Sequence, residues 1–131
     1  MNIFEGVIKI KSLLRYPGSK WRIASWILSY FPEHRSYLEP FVGSGAVFFS
    51  KQRSDIETIN DLDGDVVNLF YWVKHDPEKL AHEVYYTPYA RQIYDNAYLP
   101  DAKESSLNKA VKFLIRLNMG YGYRTTEAKV G

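Results

Sequence analysis

The stretch Glu39-Pro-Phe-Val-Gly43-Ser-Gly45-Ala46 constrains this chain more than any other. A short apolar run over 37–42 reads as a strand, and two closely spaced glycines break it just before a helical pattern starts at Ala46. Glycine reaches positive φ and carries no Cβ, so a ligand can come close to the backbone at such a turn. A helix starting there presents unpaired N–H groups and a partial positive charge. The turn is not the full dinucleotide fingerprint, because Phe48 stands at the third glycine position. Nor is it a P-loop, since no Gly-Lys-Ser/Thr follows. By itself it fits a plain tight turn as readily as a ligand site.

The flanking sequence supplies more elements. Val7-Ile-Lys-Ile-Lys11 alternates and reads as a short strand or an extended lead-in. Ser19 has the character of an N-cap, with Ile23, Trp26, Ile27 and Tyr30 at helical spacing up to Pro32. A second helix is predicted from Ala46 to about Lys51, then a strand over 56–59 ending at Asn60-Asp61. Asp63-Gly64 opens a strong helix carrying Val66, Val67, Leu69, Phe70 and Val73. Asp76-Pro77 and Thr87-Pro88 each pair a cap with a proline at the first helical position, which predicts helices over about 77–86 and 88–97. Leu107, Val111, Leu114 and Ile115 space a last helix from Ser105 or Ser106 to about Leu117, closed by Asn118-Met-Gly120. The tail from Tyr121 to Gly131 has no clear period. The order is that of an α/β start followed by a helical segment.

Asp61 ends the strand that follows the glycine turn, where an acid can accept hydrogen bonds from both ribose hydroxyls of a nucleoside. Asp61, Asp63 and Asp65 do not make a calcium loop. Val66 holds the EF-hand glycine position and Trp72 that of the bidentate glutamate. Helix capping and dipole compensation account for Asp63 and Asp65 better. In Tyr16-Pro-Gly-Ser-Lys20 a Pro-Gly turn leads into the first helix, and Lys20 lies at the unfavourable end of the macrodipole. An anionic neighbour would explain that lysine; so would simple solvation.

Composition removes several alternatives. The chain has 131 residues, enough for one domain, and no cysteine, so disulfide frameworks, thiolate zinc sites and thiolate nucleophiles are excluded. A net charge of +2 permits a nucleic-acid partner without demanding one. No apolar run approaches the ~18 residues of a membrane span, and Glu5, Lys9 and Lys11 interrupt any secretory leader. A soluble, cytoplasmic protein is expected. His34, His75 and His82 lack metal-ligand spacing, and Trp21, Trp26 and Trp72 read as core or partner-facing residues.

Together, Leu14-Arg-Tyr-Pro-Gly-Ser-Lys20, Glu39-Pro-Phe-Val-Gly-Ser-Gly-Ala-Val-Phe-Phe49 and Ile59-Asn-Asp-Leu-Asp-Gly-Asp65 resemble the N-terminal part of the Dam-type (D12 class) DNA adenine-N6 methyltransferases. Ala110-Val-Lys-Phe-Leu-Ile-Arg-Leu-Asn118 and Gly122-Tyr-Arg-Thr125 resemble the region where that family begins its DNA-recognition insert. The resemblance covers nearly the whole chain, from residue 13 to 131. It implies a partial Rossmann-like, S-adenosylmethionine-dependent methyltransferase fold of the α/β class, with a helical segment from the start of the insert. It divides the chain into a cofactor-binding part, 1–76, and the beginning of a DNA-recognition region, 77–131. S-adenosylmethionine contacts are implied at Tyr16, Lys20, Phe41, Gly43, Gly45 and Asp61. Contacts to double-stranded DNA are implied among Lys112, Arg116, Tyr121, Tyr123 and Arg124, although each of these five alone also suits a surface or packing role.

One part of the family pattern is missing. Adenine-N6 transfer uses a turn of the type Asp-Pro-Pro-Tyr, whose carboxylate and carbonyl accept from the amine while the aromatic stacks on the flipped base. No Pro-Pro occurs in these 131 residues. Asp76-Pro-Glu-Lys79 and Thr87-Pro-Tyr89 come nearest, and both read as helix starts. In the family order that turn follows the insert, within which this chain stops. An incomplete parallel sheet would expose an apolar edge, so a homodimer, a complementing C-terminal chain or a fragment of a longer enzyme is expected. An inactive relic or partner subunit that binds cofactor or DNA is the alternative. A nucleotide-binding α/β protein unrelated to methylation is the third reading. Cytosine-C5 methylation is excluded, because its nucleophile is a thiolate.

Overall fold

Two four-residue strands, β1 (Ser36–Glu39) and β2 (Ile56–Ile59), pair in parallel with Ser36 opposite Ile56 and Glu39 opposite Ile59 in the computed structural model, which describes residues 14–120. Parallel neighbours need a crossover, and a short helix lies within it. The helices in chain order are α1 (Ala24–Leu28), α2 (Ala46–Ser50), α3 (Gly64–His75), α4 (Pro77–Tyr85), α5 (Arg91–Asn96) and α6 (Ser106–Met119). The architecture is therefore mixed α/β, with a β1–α2–β2 unit followed by helices, in the expected order.

The strand at the glycine turn is shorter than the apolar run predicts, because its regular register with β2 ends at Glu39 opposite Ile59. Pairing nevertheless resumes beyond it: Asn60 N–H donates to the Glu39 carbonyl and Val42 N–H to the Asn60 carbonyl, both at 2.9 Å. The first helix is also shorter, starting at Ala24 rather than directly after Ser19. Ser19 caps nothing there. Its hydroxyl is hydrogen-bonded to that of Ser44 at 2.8 Å, across to the glycine turn. Ahead of it, Ser19 N–H donates to the Tyr16 carbonyl, with Pro17 and Gly18 (φ 71°) at the centre of a turn that needs positive φ at its third residue.

The other caps divide. Asp63 accepts from Asp65 N–H, Asp76 from Lys79 N–H with Pro77 in the first turn, and Ser105 from Asn108 N–H, all as side-chain N-caps. Thr87 does not act this way. Its hydroxyl donates back to the Glu83 carbonyl at 2.7 Å, at the end of α4, so α5 begins only at Arg91. The α5 N-cap is Ala90, which has no polar side chain to offer, so this helix starts without a side-chain cap.

The core joins both ends of the described chain. Leu14, Val42, Val66, Leu69, Phe70 and Leu80 pack in one cluster with Ala110, Val111, Phe113 and Leu117 of α6. The buried α6 positions recur at helical spacing and press onto α3. Polar contacts hold the same pair of helices in register. Asn68 Nδ2 donates to the Ser106 carbonyl at 2.7 Å, and Trp72 Nε1 to the Ser106 hydroxyl at 3.2 Å. The opposite face of the sheet is bare, with Leu38 and Ile56 each 62% exposed. Val7–Lys11 falls outside the described residues. Among the described residues no helix is long and apolar enough to cross a membrane.

Among the described residues Phe113 is the largest fully buried side chain. Phe113→Ala should cost about 3–5 kcal/mol, as truncation of a buried aromatic does, read as a lowered urea midpoint of the chain.

Candidate functional site

The glycine turn is built so that its backbone faces a cleft. Gly43 has φ 49° and Gly45 φ 69°, the left-handed region that side chains resist. Gly45 N–H closes the turn on the Val42 carbonyl at 2.8 Å. The two glycines look in different directions. A Cβ on Gly43 would lie 3.5 Å from the Tyr16 ring, whereas one on Gly45 would come within 2.6 Å of the Phe49 ring and 3.3 Å of Phe70. Gly45 thus meets the core, and it is not among the residues that line the cleft.

Asp61 pins this turn from the other strand. Its Oδ2 accepts from Gly43 N–H at 2.8 Å and its Oδ1 from Asp63 N–H at 3.0 Å. Each carboxylate oxygen retains a lone pair beyond these bonds, and Asp61 remains in the cleft wall. Asp63, besides capping α3, lies 3.5 Å from the Tyr16 hydroxyl. Burial, followed by the charges of Asp63 and Asp61, pushes the Tyr16 phenol above its ordinary value.

The cleft has a volume of about 220 Å³, and Tyr16, Lys20, Phe41, Gly43 and Asp61 all border it. Five of the six residues expected to touch cofactor therefore meet around one space, though they come from segments far apart in the chain. Phe41 stands at the rim, 77% exposed. Lys20 is exposed and its Nζ donates to the Gly18 carbonyl at 2.7 Å. The volume lies below the ~300–1,000 Å³ of most ligand pockets.

Glu39 belongs to this cleft too, and sequence reasoning passed over it as the first letter of a motif. Tyr37 donates its hydroxyl to Glu39 Oε2 at 2.8 Å. Burial pushes the Glu39 carboxyl above the usual glutamate range, against the opposing pull of the Tyr37 hydroxyl, the Phe48 N–H and the Lys51 charge. Its place two residues after Tyr37 on one strand face was the available signal.

The cations expected to face DNA are engaged inside the chain. Lys112 Nζ is 2.8 Å from Glu104 Oε1 and also donates to the Leu99 carbonyl. Arg116 forms an ion pair with Asp65, donates to the Ala97 carbonyl at 2.9 Å, and lies over the rings of Tyr98 and Phe113. Asp65 thus holds α6 as well as the start of α3. Tyr121, Tyr123 and Arg124 lie outside the described residues. The His75 ring lies tilted against Tyr71 at 4.3 Å between centroids, and His82 against Tyr86 at 4.7 Å.

A small α/β unit with a glycine turn over a cleft, and acids at its strand ends, is the class of architecture that the described residues define. Comparison with known proteins makes the class specific. A family model for the D12 class N6 adenine-specific DNA methyltransferases matches residues 16–129, and the chain belongs to this family. It is 32% identical over 77 residues to a DNA adenine methylase of Vibrio cholerae serotype O1, which covers 57% of this chain and 27% of that protein. A DNA adenine methylase of Haemophilus influenzae is 39% identical over 70 residues, covering 51% of this chain and 23% of its own length. The DNA N-6-adenine-methyltransferase of Escherichia phage P1 is 30% identical over 70 residues, covering 53% and 9%. The chain thus spans well under half of the curated relatives it matches.

Two outcomes test this geometry. Gly45→Ala should destabilise the chain more than Gly43→Ala in urea unfolding, because both incur the ~1–2 kcal/mol left-handed penalty but only the first drives a Cβ into Phe49. Glu39 supplies the second. Its carboxyl is raised in the folded chain, so its neutral form is favoured, and stability falls as pH climbs from the ordinary glutamate value through the raised one. The melting temperature of Glu39→Gln should gain on wild type over that interval.

Proposed function

We propose that this chain is the cofactor-binding N-terminal part of a site-specific, S-adenosylmethionine-dependent DNA adenine-N6 methyltransferase. The observation that carries the reading is the convergence of Tyr16, Lys20, Phe41, Gly43 and Asp61 on one cleft. The residues present suit the cofactor chemically. Gly43 leaves backbone open where a Cβ would stand, Asp61 keeps acceptor capacity for ribose hydroxyls, and Phe41 offers an exposed ring to a purine. Gly45 serves by shaping the turn from the core side. When bound, the cofactor supplies an electrophilic methyl group; these residues bind and orient it.

In this reading residues 1–76 belong to a Rossmann-like cofactor-binding part, and 77–131 begin the region that meets double-stranded DNA. Lys112, Arg116, Tyr121, Tyr123 and Arg124 are its DNA-facing candidates. For Lys112 and Arg116 a phosphate would have to compete with Glu104 and Asp65. The bare sheet face around Leu38 and Ile56 supports a covering segment from a second copy, a complementing chain or further sequence. These 131 residues contain no Pro-Pro and hence no Asp-Pro-Pro-Tyr turn, so they bind cofactor without transferring its methyl group. That same absence favours a second reading, a relic or partner subunit that binds S-adenosylmethionine or DNA only.

Calorimetric titration of the chain with S-adenosylmethionine should give saturable heat. Phe41→Ala, which removes an exposed ring and leaves the core alone, should weaken binding roughly ten-fold or more, as loss of base stacking does. Asp61→Ala should abolish it. No heat with wild type would sink the cofactor reading. Methyl incorporation into duplex DNA by residues 1–131 alone should stay at background; robust adenine methylation would overturn the assignment of the missing turn.

A further inference from the structure

We propose that Tyr37 is a positioning residue of the cleft: held in a cage of rings and a lysine, it aims its hydroxyl at Glu39 and fixes that carboxylate for a cationic group of the ligand. The inference rests on the cofactor reading and deepens it, because S-adenosylmethionine carries a sulfonium and an ammonium and so calls for an anion in the cleft wall.

The geometry begins with strand alternation. Tyr37 and Glu39 are two residues apart on β1 and share a face. The Tyr37 ring is held by Phe31 at 5.7 Å, His34 at 5.8 Å and Phe48 at 6.5 Å between centroids, with Lys51 Nζ 4.7 Å above it. Lys51 is itself tied down. Its almost wholly buried ammonium pairs with Glu57 and donates to Ser54 Oγ at 3.0 Å and the Gln52 carbonyl at 2.7 Å. A ring held from several sides leaves its hydroxyl little choice of direction, and that direction is Glu39 Oε2 at 2.8 Å.

Glu39 then has the Tyr37 hydroxyl as a side-chain donor. A carboxylate accepts about four hydrogen bonds, so capacity remains for a ligand cation. The groups around it are Tyr37 on its own strand, Lys51 at the end of α2, and Tyr16, Lys20 and Asp61 across the cleft. Burial favours the neutral acid, while the hydroxyl and Lys51 favour the anion. Burial also pushes the Tyr37 phenol well up, so it stays protonated and donating over the working range. Tyr37 therefore sets both where Glu39 points and how readily it stays charged, without touching the ligand itself.

The test is calorimetric titration of the full chain with S-adenosylmethionine from acid to neutral pH, with thermal melts of every variant. Wild-type affinity should fall on acidification as Glu39 takes up a proton. Tyr37→Phe should lose about ten-fold in affinity at neutral pH, the size of one hydrogen bond to a charged group. It should also move the acid midpoint of binding upward, because the anion has lost a donor. A packing role would lower affinity or melting temperature without moving that midpoint. Glu39→Gln should weaken binding and flatten the acid limb, and it decides the matter if Tyr37→Phe melts early. Wild-type affinity and midpoint in Tyr37→Phe, or an unchanged acid limb in Glu39→Gln, overturns the proposal. If Phe41→Ala still weakens binding in that case, the cofactor reading survives and only the role of Tyr37 falls. A wild-type chain that gives no heat overturns both.

Discussion

The carboxylate of Asp61 is the joint on which the described structure turns. One oxygen holds the N–H of Gly43, the other that of Asp63. A hydrogen bond to a charged acceptor is worth about 1.5–3 kcal/mol, and here two of them tie a left-handed turn to the start of a helix. Without that acceptor, Gly43 N–H would lose its partner in a half-buried place, and the turn would lose its hold on β2. Asp63, placed by the same carboxylate, in turn caps α3 and approaches the Tyr16 hydroxyl. The wall of the cleft and the start of α3 share one anchor.

From α3 outward, packing takes over. Val66, Leu69 and Phe70 meet Ala110, Phe113 and Leu117, while Ser106 and Arg116 fasten the two ends of α6 to α3 through Asn68, Trp72 and Asp65. The helical part therefore carries the α/β part rather than trailing from it. The core runs across the expected division at residue 76, and a ligand held between Asp61 and Phe41 would rest on a wall whose rigidity comes partly from α6. The cleft's charges follow a similar logic. Glu39 and Asp61 are both anchored by donors, so each carboxyl is held in place in the cleft wall.

Much of this was legible in one dimension because it depends on local chemistry. Asp63, Asp76 and Ser105 cap helices because a short polar side chain before a helical run finds the free N–H groups within three residues. The 56–59 strand and the helix from Gly64 follow from apolar spacing. The same reasoning failed at Ser19 and Thr87, whose hydroxyls found partners elsewhere: Ser44, distant in sequence, and Glu83, one turn back. Pattern cannot tell which of several nearby partners a hydroxyl will choose. Nor could it separate the two glycines, since their difference lies in Tyr16 over one and Phe49 beside the other.

The sequence by itself determined the family, the order of strand, glycine turn, strand and helices, and the kinds of residue that line the cleft, all of which are written in short motifs and periodicities. Tertiary structure alone decided how those residues are used. Glu39 entered the cleft because strand alternation and a caged tyrosine turned it there. Gly45 turned to the core, and Lys112 and Arg116 were drawn into internal ion pairs by Glu104 and Asp65. Sequence spacing offers each of these groups more than one partner, some near and some as far away as Asp65 is from Arg116, and distance and burial choose among them once the core has closed.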